Sequence, residues 1–217
     1  MTTRLSRTSA KNRIGEILSR LKTAYPDAKC SLNYTTPFEL LVATILSAQC
    51  TDERVNIVTK SLFKKYRKPE DYVLVPDEEL QNDIRTTGFF RNKTKSLKGA
   101  SRKIVEDFGG RVPQQMDQLL TLPGVARKTA NVVMGNAFNQ ASGVVVDTHV
   151  SRVSQRLRLT KQTVPEKIEQ DLMKLVPKED WVKFSHMLIL HGRHVCKALK
   201  PDCALCPLND LCPSSIV

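Results

Sequence analysis

Apolar residues recur at intervals of three and four positions along most of this chain, which is the pattern of helices that bury one face. Stripes of this kind start at Ile14, Val55, Leu97, Ile168 and Trp181. The stripe from Leu97 is predicted to end at the glycine pair 109–110. Strand signals are poor, because the run of valines at 144–146 is too short to found a sheet. The sequence therefore predicts an all-α fold.

One predicted helix differs from the others because it is apolar on nearly all sides. It covers residues 38–48, and such a segment is expected to be a buried central helix. The chain then turns polar between Ser47 and Asp52, which would present Gln49 at the tip of the buried helix. An ordinary helix end, with Asp52 capping the next helix, explains the local pattern equally well.

The charge balance indicates the kind of partner. The chain has 217 residues with 34 Lys and Arg against 22 Asp and Glu, a net charge of +12. This excess favours a polyanion, with nucleic acid first and an anionic membrane second, although a basic surface that serves only solubility is also common. Aromatic residues make up 6% of the chain, which argues against stacking platforms for single strands. No apolar run is long enough to span a membrane, and we expect no membrane partner.

The opening residues bear on localisation. Residues 1–13 are basic and free of acids, faintly like an organelle transit peptide, but helical periodicity starts at once at Ile14. An apolar signal segment is missing from this region as well. We therefore expect no organelle targeting and, in a bacterium, a cytoplasmic protein associated with the nucleoid.

A turn at residues 122–126 carries the first candidate for chemistry. Pro123 and Gly124 stop one helix and permit a tight turn, and apolar periodicity resumes at Ala130. Lys128 is thus predicted in the first turn of a new helix. The exposed N–H groups of such a helix start attract a phosphate. The positive end of the helix dipole also disfavours an ammonium group at Lys128, which favours a free, nucleophilic amine.

Asp147 follows nineteen positions later, between Val146 and Thr148. It is a candidate for the carboxylate that an amine nucleophile needs. The alternative is that Asp147 only caps a helix and that Lys128 is an ordinary solvated lysine after a connector.

Cysteines crowd the C-terminal end of the chain, at Cys196, Cys203, Cys206 and Cys212. Disulfides are disfavoured because nothing marks the chain as secreted. Four thiolates this close suit a zinc ion or an iron–sulfur cluster. Zinc sites usually show two short Cys pairs and only one is present, which favours iron–sulfur and leaves zinc as the alternative. The loop 197–202 between two of these cysteines carries two lysines and is a candidate phosphate clamp.

Three motifs taken together resemble the endonuclease III family of helix-hairpin-helix base-excision DNA glycosylases. They are Leu-Pro-Gly-x-x-x-Lys-Thr-Ala at 122–130, Val-Asp-Thr-His at 146–149 and the four-cysteine tail at 196–212. The similarity runs from Pro37 to Cys212 in the family's order. It implies a six-helix barrel with the hairpin over residues 30–141. Residues 1–29 and 142–217 would form a second helical domain that carries a [4Fe-4S] cluster on the four cysteines, with a cleft between the two.

The resemblance also implies an activity. It predicts a bifunctional enzyme that excises oxidised pyrimidines of the thymine glycol type from duplex DNA. The abasic site would then be cleaved by β-elimination through a lysine Schiff base. The expected partner is double-stranded DNA with a damaged base or an abasic site, bound by a monomer.

Residue roles follow from the same resemblance. Lys128 matches the Schiff-base lysine and Asp147 the catalytic aspartate of the family. Gln49 and Asp52 match the Ser-Ala-Gln-x-Thr-Asp element, whose glutamine fills the hole left by the extruded base. Phe89 stands where the family usually has a leucine that acts as a second wedge.

The remaining candidates contact DNA without reacting. The hairpin residues expected to do so are Gly124, Val125, Ala126 and Arg127. Lys200 matches a basic residue of the cluster loop. The family's paired hairpin glycines stand here as Gly124 and Ala126, and a methyl group at Ala126 restricts the approach of the backbone to a phosphate.

Two other functions fit parts of the pattern. A non-catalytic protein could use the hairpin and the cysteine cluster only to recognise DNA, but Lys128 and Asp147 would then be accidental. A related glycosylase with another base preference, such as an adenine-specific one, is the second alternative, and a lysine at position 128 argues against it.

Overall fold

The computed structural model describes residues 9–217. Within that range the regular secondary structure consists of α-helices and short 3-10 turns, without a strand, which confirms the all-α prediction. None of these helices is both long and apolar enough to cross a bilayer. Residues 1–8, most of the basic opening segment, lie outside the described part of the chain.

The chain divides into two compact units. The first covers residues 30–142 and contains α2 Pro37–Leu46, α3 Asp52–Lys65, α4 Pro69–Leu74, α5 Asp77–Ile84, α6 Phe90–Phe108, α7 Met116–Leu120 and α8 Arg127–Ala137. The second joins the N-terminal segment to residues 143–217 and contains α1 Ala10–Ala24, α9 Thr148–Arg156, α10 Pro165–Leu175 and α11 Trp181–His194.

The first unit is built around α2. Every residue from Phe38 to Leu46 except Glu39 is buried, as predicted from its uniformly apolar sequence. Pro37 occupies the first position, where a missing N–H costs nothing, and the Thr36 hydroxyl accepts a hydrogen bond from the Glu39 N–H. Helices α3, α6 and α8 pack around α2. This central helix therefore fixes where the turns that follow α2 and precede α6 can lie.

The start of α3 differs from one of the alternatives considered above. The N-cap is Thr51, whose hydroxyl accepts from the Arg54 N–H at 3.3 Å, so the expectation that Asp52 caps this helix is wrong. Asp52 is instead the first helical residue, where its negative charge suits the helix dipole. Its carboxylate also accepts a hydrogen bond from the Ser31 hydroxyl.

The long helix α6 ends where the sequence predicted. Gly109 adopts a left-handed φ of 58°, and the Gly110 N–H donates to the Ile104 carbonyl at 2.9 Å. This is the glycine-dependent closure that satisfies the last carbonyls of a helix.

The second unit ties its first helix to its last segment. The apolar face of α1 packs in one core with residues of α9, α10 and α11. Arg13 is buried beside that face, and its guanidinium donates to the carbonyls of Leu157 and Leu211 at 3.0 and 2.8 Å. Arg20 forms a bidentate pair with Asp210. The N-terminal helix thus supports the segment that carries the clustered cysteines.

Helices α7 and α8 are joined by a tight turn. The Val125 N–H donates to the Leu122 carbonyl at 3.1 Å, and Gly124 has φ +78°. A Cβ at Gly124 would lie 2.5 Å from the Cβ of Ser96 on α6, so a side chain does not fit without a shift of the backbone. Ala126, in contrast, has an ordinary extended φ of −93° that any residue adopts.

Replacement of Gly124 by alanine tests this reading of the turn. Gly109→Ala is the matched control, because Gly109 has a similar positive φ but open space where a Cβ would go. We expect Gly109→Ala to cost about 1–2 kcal/mol through backbone strain alone. Gly124→Ala should cost about 1–3 kcal/mol more, because it also overlaps Ser96. Urea denaturation measures both, and equal costs would contradict the predicted overlap.

Candidate functional site

The first turn of α8 has an open N-terminus. Its N-cap is Ala126, which has no side-chain acceptor, and the first turn carries no acidic residue. The first backbone bond of the helix runs from the Ala130 N–H to the Ala126 carbonyl at 3.0 Å. The N–H groups of Lys128 and Thr129 precede this bond and therefore have no acceptor within the helix. Together with the helix dipole, they form a site suited to a phosphate or another anion.

Lys128 is the second residue of this helix, as predicted, and it is exposed. Its amine is thus accessible to a ligand that approaches the helix start. Val125 is buried beneath the turn, whereas Gly124 and Ala126 are exposed on it and Arg127 is half-buried. Gly124, which has no side chain, lets the backbone of this turn approach a partner, while the methyl group of Ala126 stands beside it.

Asp147 is the N-cap of α9. Its Oδ1 accepts a hydrogen bond from the Val150 N–H at 2.8 Å. Asp147 therefore does cap a helix, as one of the alternatives above predicted. The cap uses one oxygen of the carboxylate. The half-buried side chain therefore holds its second oxygen in a fixed orientation, and capping does not exclude a chemical role.

Gln49 and Phe89 share an unusual backbone conformation. Their φ angles are +54° and +47°, and only Asn139 and Arg158 join them among the non-glycine residues of the described chain. Such a conformation costs of order 1–3 kcal/mol for a residue with a side chain. Both residues are exposed, with 61% of Phe89 accessible to solvent. Strain combined with an exposed apolar ring is typical of a binding element rather than a core contact.

Lys93 was not identified from the sequence. It is buried, with 5% exposure, and its ammonium group donates to the carbonyls of Leu46 and Thr87, both at 2.8 Å. These carbonyls end α2 and the 3-10 turn Arg85–Thr87, the elements that precede Gln49 and Phe89. A signal was present in the sequence, because Lys93 occupies the apolar stripe of α6, four positions before Leu97.

The four clustered cysteines come together in the second unit. All four line one cavity, together with His191 and Arg156. Burial, together with the three neighbouring cysteines, raises the pKa of Cys206 to about 11, while the hydrogen bond from the Leu208 N–H acts in the opposite direction. Burial, and then the neighbouring cysteines, also raise the pKa of Cys212. Four thiolates can share this cavity only if a bound cation compensates their charge, so the donor set fits a metal centre.

The loop after Cys196 is fixed by Arg156. The guanidinium donates to the Cys196 Sγ at 3.2 Å and to the carbonyls of Lys197 and Ala198 at 2.7 and 2.8 Å. The Asp202 N–H donates to the Val195 carbonyl at 2.9 Å and closes the loop. Lys200 is exposed on this anchored segment, at a place where a phosphate could approach.

Comparison with known proteins shows the class of enzyme to which the chain belongs. Residues 42–178 match the HhH-GPD superfamily of base excision DNA repair proteins, and residues 196–212 match the iron-sulfur binding domain of endonuclease III. The chain is 60% identical to the endonuclease III of Synechocystis sp., over 95% of this chain and 94% of that protein.

Two solved structures are similar throughout. One is a non-covalent endonuclease III–DNA complex and the other a trapped endonuclease III–DNA covalent intermediate. Each has a TM-score of 0.91 and 46% identity, and covers 95% of this chain and 97% of its own.

The chain belongs to the endonuclease III family. It is a base excision DNA N-glycosylase with abasic-site lyase activity, and its cofactor is a [4Fe-4S] cluster. The non-catalytic alternative is therefore wrong.

Replacement of one cluster cysteine should remove the metal. The purified protein is expected to contain iron and sulfide in equal amounts, and Cys206→Ser should lose both because serine is a poor iron ligand. Cys30→Ser is the control, since Cys30 lies in the other unit. Elemental analysis and the visible absorbance measure the outcome. Full iron content in Cys206→Ser would show that Cys206 is not a ligand.

Proposed function

We propose that this enzyme excises oxidised pyrimidines of the thymine glycol type and cleaves the resulting abasic site through a Schiff base on Lys128. The observation that carries the proposal is the accessible Lys128 in the first turn of a helix whose N-terminus has no side-chain cap. A similar protein has been solved as a covalent intermediate with DNA. That state requires a nucleophile on the protein.

Binding to duplex DNA would rest on charge and on backbone donors. The net charge of +12 attracts the phosphate backbone. The uncapped helix start at Lys128 and Thr129 and the anchored loop with Lys200 would supply two separate phosphate sites. Contacts of this kind position the enzyme on the duplex without reading its sequence.

Extrusion of the damaged nucleotide would depend on Gln49 and Phe89. Removal of a base from the stack costs a few kcal/mol, least for a poorly paired base. The exposed side chains of these two residues would fill the vacancy and so offset part of that cost. The phenyl ring of Phe89 suits a wedge between stacked bases.

The chemistry would begin with attack of the Lys128 amine on C1′ of the extruded sugar. The new C–N bond forms as the bond from C1′ to the base breaks, and the base leaves with a proton. Asp147 would stabilise the positive charge that develops on the sugar and assist the proton movements. The amine must be uncharged to attack. Because Lys128 is exposed in the free chain, the bound DNA itself would have to exclude water from it.

The second step would cut the strand. The amine expels the ring oxygen of the sugar and forms an imine, which acidifies the hydrogen on C2′. Loss of that proton breaks the C3′–O bond, so the strand is cleaved on the 3′ side of the lesion. Cys196, Cys203, Cys206 and Cys212 would hold the iron–sulfur cluster, and these bonds would help to fix the loop with Lys200.

Lys128→Ala should abolish both covalent trapping and lyase activity. Borohydride reduces the imine, so the wild-type protein should be trapped on duplex DNA that contains thymine glycol, whereas the variant should not. Lys200→Ala is a control that should weaken binding and preserve trapping at saturating DNA. A Lys128→Ala protein that is still trapped would place the nucleophile on another residue. A panel of lesion duplexes tests the pyrimidine preference separately.

Asp147→Asn separates the chemical role of this residue from its cap. Asparagine keeps an oxygen that can accept from the Val150 N–H, so the stability of α9 should be retained. It lacks the charge that stabilises the sugar cation, so we expect base release to fall about 100-fold or more. Asp147→Ala should lose about 1 kcal/mol of stability in addition. Thermal unfolding and single-turnover kinetics measure the two effects. Near-normal turnover in Asp147→Asn would contradict the assigned role.

A further inference from the structure

A buried lysine joins the two strained turns of the first unit. The Lys93 ammonium group donates to the last carbonyl of α2, that of Leu46, and to the last carbonyl of the 3-10 turn, that of Thr87. Its backbone N–H donates to the Phe89 carbonyl at 3.0 Å. Gln49 follows Leu46 by three residues, and Phe89 follows Thr87 by two. A single side chain is thus bonded to the base of both turns.

The position of Lys93 is costly for the fold. The residue is 5% exposed, and none of the ion pairs within residues 9–217 involves it. Burial lowers the pKa of Lys93, while the nearby Cys50 acts in the opposite direction. Lys93 also interrupts an apolar stripe where leucine or methionine would suit the core better. A buried cation that serves only stability would normally be paired with a carboxylate.

We propose that Lys93 is a positioning residue that holds the Gln49 and Phe89 turns at a fixed separation, so that both side chains enter the duplex together. The inference rests on the proposed wedge roles of Gln49 and Phe89. Each turn lies between two helical elements, so the regular backbone hydrogen bonds of a helix or a sheet do not hold it. Two carbonyls bound to one ammonium group cannot move apart without the loss of a charge-assisted hydrogen bond. Preorganised wedges would avoid the cost of ordering two loops on DNA.

A second lysine of α6 provides the matched control. Lys98 also bonds a backbone carbonyl at a helix end, that of Val75, at 2.7 Å, and it contacts Asp77 as well. Its contacts lie at the junction of α4 and α5 rather than at either wedge turn. Lys98→Met therefore removes a comparable set of bonds from the same helix without a change at Gln49 or Phe89.

The experiment uses the full-length protein with its cluster and the lesion that the wild type excises fastest. Base release is measured under single turnover with the lesion paired in a duplex and with the same lesion opposite a one-nucleotide gap. The lesion opposite a gap is already poorly stacked and needs little help to leave the helix. Lys93→Met is compared with Lys98→Met, Gln49→Ala and Phe89→Ala, and Lys93→Gln serves as a milder second variant.

Lys93→Met is expected to slow release of the paired lesion at least about tenfold, with less than about a threefold effect opposite the gap. Lys98→Met should leave the ratio of the two rates unchanged. Rescue by the gap distinguishes wedge positioning from general damage to the fold, which would slow both substrates alike. Lys93→Gln should also slow release of the paired lesion more than release opposite the gap, but by a smaller factor than Lys93→Met.

Three outcomes would overturn the inference. In the first, Gln49→Ala and Phe89→Ala change the ratio of the two release rates but Lys93→Met does not. The wedge roles of Gln49 and Phe89 would then stand, and the positioning role of Lys93 would be wrong. In the second, neither wedge variant changes the ratio, so the wedge assignment itself fails. In the third, both Lys93 variants lose the fold while Lys98→Met keeps it, which would make Lys93 a core residue without a separate role.

Discussion

The start of a helix has N–H groups that the helix itself cannot bond, and the two candidate catalytic residues, Lys128 and Asp147, both lie at such a start. Helices α8 and α9 differ in what lies at these N–H groups. The start of α8 has no side-chain cap at Ala126, which leaves N–H donors beside Lys128 that suit an anion. The start of α9 is closed by Asp147, whose carboxylate is thereby held in place. One helix start thus offers donors to a ligand, while the other fixes a negative charge.

The turns that precede helices carry the second group of candidate residues. Gln49 and Phe89 both have left-handed backbones, and both are followed closely by a helix. Strain of this kind persists only where the surrounding structure enforces it. In the first unit, the buried α2, the long α6 and the Lys93 ammonium group between them provide that enforcement. In the second unit, Arg156 holds the backbone of the cysteine loop.

Periodicity in the sequence was sufficient to predict the helices that bury a regular apolar face, whereas the short helices α4 and α5 were not identified from it. The end of α6 at Gly109 and the place of Lys128 in a first turn followed from local rules for glycine and proline. The N-cap of α3 did not, since Thr51 and Asp52 are both good caps and only the backbone decides between them. Lys93 was missed because one of its two carbonyl partners, that of Leu46, is 47 positions away in the chain.

The central claim is that the amine of Lys128 forms the covalent bond to the sugar. Borohydride reduction of the enzyme on damaged duplex DNA, followed by nuclease and protease digestion, leaves a sugar remnant on whichever lysine reacted. Mass spectrometry of the peptides should find that remnant on the peptide that contains Lys128 and nowhere else. A remnant on any other lysine or on the N-terminal amine would contradict the account.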